Sequence, residues 1–354
     1  MSPIDPAAGD STAVTTIPLG ARVCDLVVGP RNVYVAAGES VMVISGMHHI
    51  VATIGVGHDP KRMILSADGS FLYVTGYDGS VSIINTTDNT CRIVANSPSI
   101  AEVVSPDGKR MYSAHQELSD GRDSWISVID ANDATVTTAP VQNYPTGMDL
   151  SPDGSRLYVA TSAHSSYSQY YSGWVSVIDT ASNTVVDTIA VPRSPSGVTV
   201  SPDGSRIFIT HYDTNAITAV DPVRRNVTSL FLSDAPLAAV VTPDCRQVYV
   251  TGLHSLAVVE FDVSATDTIA VGDLPRRLHF SDDAKLAYVT DFGRHAVAVV
   301  DTITNSVVTT VDVGGHPEAL ALSSDGERLY VADYWAGALT AIAMPSVMRD
   351  VGEA

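Results

Sequence analysis

Basic residues are scarce in this 354-residue chain, which has 20 lysines and arginines but 39 aspartates and glutamates. The formal charge of −19 argues against nucleic acid or an anionic membrane surface as the main partner, because both would repel the protein. No stretch approaches 18 consecutive apolar residues, so the sequence predicts no transmembrane helix. Since 45% of the residues are hydrophobic and only 17% are charged, the composition still suits a large folded core.

Cysteine is also rare, and none of the three cysteines belongs to a C-x-x-C pair. An odd and sparse set of thiols is typical of a reducing compartment. The first residues contain no basic segment followed by an apolar core, so the sequence predicts no secretory signal. Together these features predict a cytoplasmic protein.

Sequence motifs of several common enzyme classes are missing as well. The chain has no G-x-S-x-G, H-E-x-x-H, P-loop, G-x-G-x-x-G or C-x-x-C-H motif. Their absence disfavours the common hydrolases, nucleoside triphosphatases, dinucleotide-binding enzymes and c-type haem proteins. No segment has a convincing helical period either, because β-branched residues in runs of period two dominate the chain.

A four-residue turn motif repeats along the chain with a period near forty. Ser-Pro-Asp-Gly or a degraded copy of it begins at residues 29, 66, 105, 151, 201, 242, 281 and 323. The spacings between these positions are 37, 39, 46, 50, 41, 39 and 42 residues. A period of this length fits one propeller blade of four strands, so the eight copies predict eight blades.

Each repeat has the pattern of four short strands around this turn. An apolar run precedes the turn, and a run with a repeated aromatic residue, such as Tyr158 or Phe208, follows it. Runs like 175–179 and 185–191 supply the third and fourth strands. Proline and glycine at their positions in the motif favour a tight turn. The sequence therefore predicts an all-β, eight-bladed β-propeller of four-stranded antiparallel blades.

The N-terminal segment supplies a strand that the last repeat lacks. Residues 13–20 align without gaps to 307–314, which form the fourth strand of the preceding repeat. We expect this segment to complete the last blade, which would close the ring and cover an open sheet edge. The predicted organisation is a tail at 1–11, a propeller at 12–345 and a second tail at 346–354.

The repeats resemble the YVTN family of β-propeller repeats over roughly residues 12–345. The resemblance rests on the Ser-Pro-Asp-Gly turn, the Val-Ile-Asp third strand and the Tyr-Val-Thr strand at 73–75, 249–251 and 288–290. Many members of that family look seven-bladed and many are exported, whereas this chain is predicted to have eight blades and no secretory signal. The resemblance implies the architecture and almost no chemistry, because functions vary widely on one fold.

Two expanded loops, at 115–125 and 161–174, join the second and third strands of the third and fourth repeats. We call the face that carries such loops the long-loop face, and the opposite face, which carries the Ser-Pro-Asp-Gly turns, the turn face. Binding residues often lie on loops held by a rigid scaffold, and aromatic side chains with a polar tip suit a ligand surface. The aromatic residues predicted to bind a ligand on the long-loop face are Trp125, Tyr144, Tyr167, Tyr170, Tyr171, Trp174, Tyr212 and Trp335. The alternative is that they only pack the loops onto the blades.

Three histidines occupy equivalent loops of consecutive repeats, at His115, His164 and His211. Such a set could bind a divalent metal or act in acid–base catalysis, and the alternative is a purely structural role. Glu102 interrupts an otherwise apolar innermost strand, where a buried charge needs a partner or a shifted pKa. It is predicted to assist the histidines as a catalytic partner, or else to meet solvent in the channel.

An arc of basic residues precedes several innermost strands and approaches the channel mouth on the long-loop face. Its members are Arg22, Lys61, Arg62, Arg276 and Arg277. Such a cluster could bind a carboxylate or phosphate group of a ligand. The alternative is that these side chains form salt bridges with nearby acidic residues.

Two functions are consistent with these features. The first is a propeller that binds a small molecule or a protein segment at the channel mouth of the long-loop face, without chemistry. The second is a metal-assisted lyase or lactone hydrolase that uses the histidines there, by analogy with other propeller enzymes such as streptogramin lyases and lactonases. The sequence favours the first, because none of the catalytic patterns is specific. A divalent metal is the one cofactor that the second would require.

Overall fold

Thirty-two β-strands form eight four-stranded antiparallel sheets in the computed structural model, which describes residues 14–116, 124–163 and 172–344. The predicted all-β, eight-bladed propeller is therefore confirmed. The predicted tails at 1–11 and 346–354 lie outside the described residues. Within the described ranges, the short 3-10 turn Tyr212–Thr214 is the one helical element, and no helix there is long and apolar enough to cross a bilayer.

Blades 1 to 4 each consist of four consecutive strands that pair in chain order. Blade 1 contains β2 (Val23–Val28), β3 (Asn32–Ala37), β4 (Ser40–Ser45) and β5 (Ile50–Gly55). Blade 2 contains β6 (Pro60–Leu65), β7 (Phe71–Gly76), β8 (Val81–Asn85) and β9 (Cys91–Val94). Blade 3 contains β10 (Ala101–Val104), β11 (Arg110–Gln116), β12 (Ser124–Asp130) and β13 (Val136–Val141). Blade 4 contains β14 (Tyr144–Leu150), β15 (Arg156–Ala163), β16 (Ser172–Asp179) and β17 (Thr184–Val191).

Blades 5 to 7 follow the same order, and blade 8 takes its fourth strand from the other end of the chain. Blade 5 contains β18 (Gly197–Val200), β19 (Ile207–His211), β20 (Ala216–Val220) and β21 (Val227–Phe231). Blade 6 contains β22 (Pro236–Val241), β23 (Gln247–Gly252), β24 (Leu256–Glu260) and β25 (Thr266–Ile269). Blade 7 contains β26 (Pro275–Phe280), β27 (Leu286–Asp291), β28 (Ala296–Asp301) and β29 (Ser306–Asp312). Blade 8 contains β30 (Pro317–Leu322), β31 (Arg328–Asp333), β32 (Ala338–Ala343) and β1 (Val14–Pro18).

The first strand of every blade contacts the first strands of both neighbouring blades, so these eight strands surround the central channel. The turn between the first and second strands then lies at one end of the channel, on the turn face. The loop between the second and third strands lies at the other end, on the long-loop face. The fourth strand of each blade is outermost.

The Ser-Pro-Asp-Gly turns are stabilised by their own side chains. The Ser105 hydroxyl donates to Asp107 Oδ1 at 2.6 Å, and Gly108 has a φ of +70°, which glycine adopts without strain. In the equivalent turn of blade 4, hydrogen bonds from the Ser151 hydroxyl and the Ser155 amide lower the pKa of the aspartate at position 153 to about 2. These acidic side chains are parts of turns, which accounts for much of the negative charge.

The repeated aromatic residue of the second strand is buried in all eight blades. Its ring packs between neighbouring blades, and in blade 2 the Tyr73 hydroxyl donates to the carbonyl oxygen of Gly108 at 2.8 Å. Gly108 belongs to the turn of blade 3. The repeated tyrosine therefore connects one blade to the next as well as filling the core.

Blade 8 is closed by the N-terminal strand, as the sequence predicts. Strand β1 pairs with β32 in an antiparallel register from Val14 opposite Ile342 to Pro18 opposite Ala338. Ile17 of β1 is only 7% exposed and packs in the core that blades 8 and 1 share. This pairing covers the outer edge of β32 and joins the two ends of the ring.

Candidate functional site

His115 is fully buried at the end of β11 and is hydrogen-bonded at both ring nitrogens. Its Nδ1 lies 3.1 Å from the carbonyl oxygen of Pro98, and its Nε2 lies 3.3 Å from Nδ2 of Asn96. Because a carbonyl oxygen can only accept a hydrogen bond, Nδ1 carries the proton and donates to Pro98. The Nε2 atom then accepts a hydrogen bond from the Asn96 amide. Burial lowers the pKa of His115, and its ring stacks on Trp125 with the centroids 5.2 Å apart. The neutral imidazole thus supports the indole.

His211 is buried in the same way at the end of β19. Its Nδ1 donates to the carbonyl oxygen of Arg193 at 2.9 Å, and its Nε2 lies 2.8 Å from the Thr218 hydroxyl. That hydroxyl is in turn 2.8 Å from Oγ of Ser229. Burial lowers the pKa of His211 as well, so the ring is held neutral within a closed polar network.

The two histidines belong to separate networks and do not converge on one site. His115 contacts the connection between blades 2 and 3, whereas His211 contacts the connection between blades 4 and 5. No group of three or more His, Cys, Asp or Glu side chains could hold a metal ion among the residues at 14–116, 124–163 and 172–344. His164, the third member of the predicted set, lies outside the described residues, so a metal site that includes it stays a prediction.

Replacing the buried His211 should destabilise the fold. We expect His211→Ala to lower the free energy of unfolding by about 1–3 kcal/mol, because the Thr218 hydroxyl and the Arg193 carbonyl lose their partner. Urea denaturation with a constant m-value would measure this loss. His254→Ala is the matched control, because the His254 side chain is 71% exposed and its loss should cost less than about 0.5 kcal/mol. An unchanged stability together with loss of a bound metal would instead support a metal-binding role.

Glu102 on β10 has basic partners in the neighbouring blade. Its side chain is 1% exposed, and its two carboxylate oxygens lie 3.3 Å from Lys61 Nζ and 3.5 Å from Arg62 Nη1. The hydroxyl of Ser99 also donates to this carboxylate. A buried carboxylate held by two cations and a hydroxyl satisfies the requirement for compensation. The arrangement gives Glu102 a role in joining blades 2 and 3.

Other members of the basic arc also have partners on the long-loop face. Arg276 lies 3.3 Å from Oε1 of Glu318, and its guanidinium group lies 4.5 Å from the centre of the Phe292 ring. The guanidinium of Arg22 lies 4.7 Å from the ring centre of Tyr334. The ion pair of Arg276, like those of Lys61 and Arg62, favours the alternative prediction of salt bridges with acidic residues. Arg22 instead makes cation–π contacts.

Two aspartates of the innermost strands join neighbouring blades beside the channel. Asp25 Oδ2 accepts from the Met63 amide at 2.8 Å, and Asp149 Oδ2 accepts from the Val200 amide at 2.8 Å. The inner edge of a first strand has no paired strand, so its amides need other acceptors. Burial raises the pKa of both carboxyls, although these hydrogen bonds oppose the rise and so does Arg277 beside Asp25. The sequence did not indicate this bridging role.

A cleft of about 770 Å³ separates the outer strands of blades 3 and 4. Trp125 of β12 and Trp174 of β16, both half-buried, line its end nearest the long-loop face. The cleft extends to Asn183, in the turn that precedes β17. None of the described residues that line it is ionisable. The structure thus brings two predicted ligand-binding tryptophans together, but between the blades and not at the channel mouth.

Several residues that line the cleft have buried polar atoms without hydrogen-bond partners. Six such side-chain atoms occur in the described part of the chain, and three belong to cleft residues: Ser124 Oγ, Thr161 Oγ1 and Asn183 Oδ1. Most buried polar atoms in folded proteins are paired, and each unpaired one costs about 1–3 kcal/mol. These three residues were not among the predicted site residues. A serine or threonine in a strand looks like ordinary polar alternation, so the sequence contains no signal that identifies them.

The remaining predicted aromatic residues do not join this cleft. Tyr144 is half-buried at the start of β14, and Tyr212 is 42% exposed in the 3-10 turn of blade 5. Trp335 of blade 8 is 63% exposed and lies under the guanidinium of Arg22, which is 5.2 Å from its ring centre. Three predicted tyrosines of the blade 4 loop lie outside the described residues: Tyr167, Tyr170 and Tyr171.

Comparison with known proteins relates the chain to other propellers by fold. No family model and no curated protein sequence matches it. Hydrazine synthase of Kuenenia stuttgartiensis is 20% identical in sequence, with 96% of this chain and 98% of that chain covered and a TM-score of 0.59. The C-terminal WD40 domain of Sif2 is 12% identical, with 95% of this chain and 100% of that chain covered and a TM-score of 0.74. Identities this low show the fold alone. The chain is an eight-bladed propeller with WD40-like structural neighbours, and its similarity to YVTN repeats remains a resemblance in sequence.

Proposed function

We propose that this chain is a binding propeller that holds a small ligand in the cleft between blades 3 and 4 and catalyses no reaction on it. The observation that carries the proposal is that Trp125 and Trp174 line the same cleft as three residues with buried polar atoms that lack hydrogen-bond partners. Its volume of about 770 Å³ lies within the range of about 300–1,000 Å³ that is usual for small-molecule sites. Apolar rings with a few polar groups are the usual lining of such sites.

The chemistry of the cleft supports binding over catalysis. General acid–base catalysis and activation of a nucleophile require a titratable group within hydrogen-bond reach of the reacting atoms. Neither tryptophan nor the serine, threonine and asparagine side chains of this lining can supply one. The alternative enzyme would use His115, His164 and His211. The ring nitrogens of His115 and His211 are already engaged with the scaffold, and His164 lies outside the described residues. A protein segment is the alternative ligand of the same cleft.

Ligand-observed saturation-transfer NMR with a mixed library of charged and uncharged fragments would test this function. We expect several fragments to bind the wild-type protein and to lose binding in Trp174→Ala, because the substitution removes one wall of the cleft. Trp335→Ala is the matched control, since this exposed tryptophan lies on blade 8. The proposal fails if no fragment binds, or if every fragment that binds does so equally well to Trp174→Ala while that variant retains its circular dichroism spectrum.

A further inference from the structure

We infer that the cleft between blades 3 and 4 takes an uncharged polyhydroxylated ligand, which is to say a neutral carbohydrate. This inference rests on the proposed function and specifies the ligand class of the same site. Three features of the cleft support the inference. They are the lack of charge among its described lining residues, the placement of its two indole rings and the unpartnered polar atoms in its wall.

The described lining of the cleft offers no ionic partner to a ligand. No Asp, Glu, Lys, Arg or His is among the described residues that line the cleft. An anionic ligand would meet no cation among these described residues and would also be repelled by the net charge of −19. A cationic ligand would meet no carboxylate, and burial of an unpaired charge is costly. The described lining therefore favours a neutral ligand.

The two tryptophans provide apolar surface with a defined orientation. The stacked ring of His115 covers part of Trp125 and limits its rotation. Trp174 is half-buried, lines the cleft and makes no ring contact within the described residues. The C–H groups on one side of a pyranose ring form a flat apolar patch that can pack on an indole. A ligand that combines such a patch with many hydroxyls matches this lining.

The unpartnered atoms require both donors and acceptors from the ligand. Ser124 is 3% exposed and Thr161 is 0% exposed, and each hydroxyl can donate one hydrogen bond and accept others. The Asn183 Oδ1 atom can only accept. Sugar hydroxyls do both. Ser124 and Thr161 lie near the two tryptophans and Asn183 lies at the far end of the cleft, so a neutral oligosaccharide that runs along the cleft matches all three sites. An apolar ligand would leave these three atoms unpaired. Sites with buried unpaired polar atoms bind ligands that lack hydroxyls poorly.

A glycan array would test the inference. It would present neutral oligosaccharides (glucans, mannans, xylans and galactans) beside acidic polygalacturonate, and calorimetric titration would measure the affinity of each glycan that binds. We expect neutral members to bind and the acidic ones not to bind. Thr161→Val keeps the shape of the side chain and removes its hydroxyl, so it should weaken binding by about tenfold. Trp174→Ala should weaken it at least as much, while Trp335→Ala should leave it unchanged.

Several results would overturn the inference. One is binding of neutral oligosaccharides that survives both Thr161→Val and Trp174→Ala. Preference for the acidic glycan would be another. If the fragments that depend on Trp174 bind but no neutral oligosaccharide does, the carbohydrate inference falls and the proposed function stands. If neither fragments nor oligosaccharides bind, both fall together. A far-UV circular dichroism melt of each variant would show that lost binding is not lost folding.

Discussion

A chain that begins at residue 20 should be much less stable than the full-length protein. It lacks β1, so the five register pairs with β32 are lost and the outer edge of blade 8 is opened. Ile17 and Leu19, both 7% exposed, would no longer fill the core between blades 8 and 1. Their burial alone contributes about 3–6 kcal/mol. We therefore expect the free energy of unfolding in urea to fall by at least that amount.

A control truncation and a rescue experiment make this prediction specific to the closing strand. A chain that begins at residue 12 retains β1 and should unfold at the same urea concentration as the full-length protein. A synthetic peptide of residues 12–20 should restore much of the stability of the shorter chain, because it can pair again with β32. Without the peptide, the open edge should promote association through strand pairing, which size-exclusion chromatography would detect. Equal stability of the two truncated chains would contradict the closure by β1.

Substitution of the repeated tyrosine should have the second large effect. The Tyr73 side chain is fully buried, and its hydroxyl bonds the Gly108 carbonyl of the next blade. We expect Tyr73→Ala to lower the free energy of unfolding by about 3–5 kcal/mol, the usual cost of removing a buried aromatic ring. Tyr73→Phe keeps the ring and should cost only about 1–2 kcal/mol, through the unpaired carbonyl oxygen.

The exposed tyrosine a few residues further along the chain provides the control for that experiment. Tyr77 is 66% exposed, so Tyr77→Ala should change the free energy of unfolding by less than about 0.5 kcal/mol. Chemical denaturation of all four proteins under one condition would give the comparison. If Tyr73→Phe costs as much as Tyr73→Ala, the hydrogen bond between blades matters more than ring burial. If neither variant is destabilised, the aromatic repeat does not support the packing of the blades.

The histidine and glutamate predictions show why residue type and spacing alone did not define a site. His115 and His211 occupy equivalent positions in their repeats, and that equivalence suggested a shared metal centre. In the structure each ring is bound by the connection that precedes its own blade. Those connections differ in sequence from blade to blade, so equivalent positions acquire unrelated partners. Glu102 likewise finds its cations in the neighbouring blade.

The cleft shows the same dependence on packing between blades. Trp125 and Trp174 were predicted to bind a ligand because both lie beside expanded loops, and the structure places both in one cleft. Ser124 and Thr161 were missed, because an ordinary strand hydroxyl becomes notable only when packing buries it without a partner. Burial without a partner depends on the neighbouring blade and has no local sequence pattern.

The number of blades, the order of their strands and the closure by the N-terminal segment could all be inferred from the order of residues. These features follow from turn chemistry and strand alternation, which act over a few residues and recur eight times. The cleft, the buried histidines and the carboxylates that join the inner strands arise from contacts between different repeats. Because such contacts depend on how twisted sheets pack face to face, they appeared only once the blades were assembled around the channel.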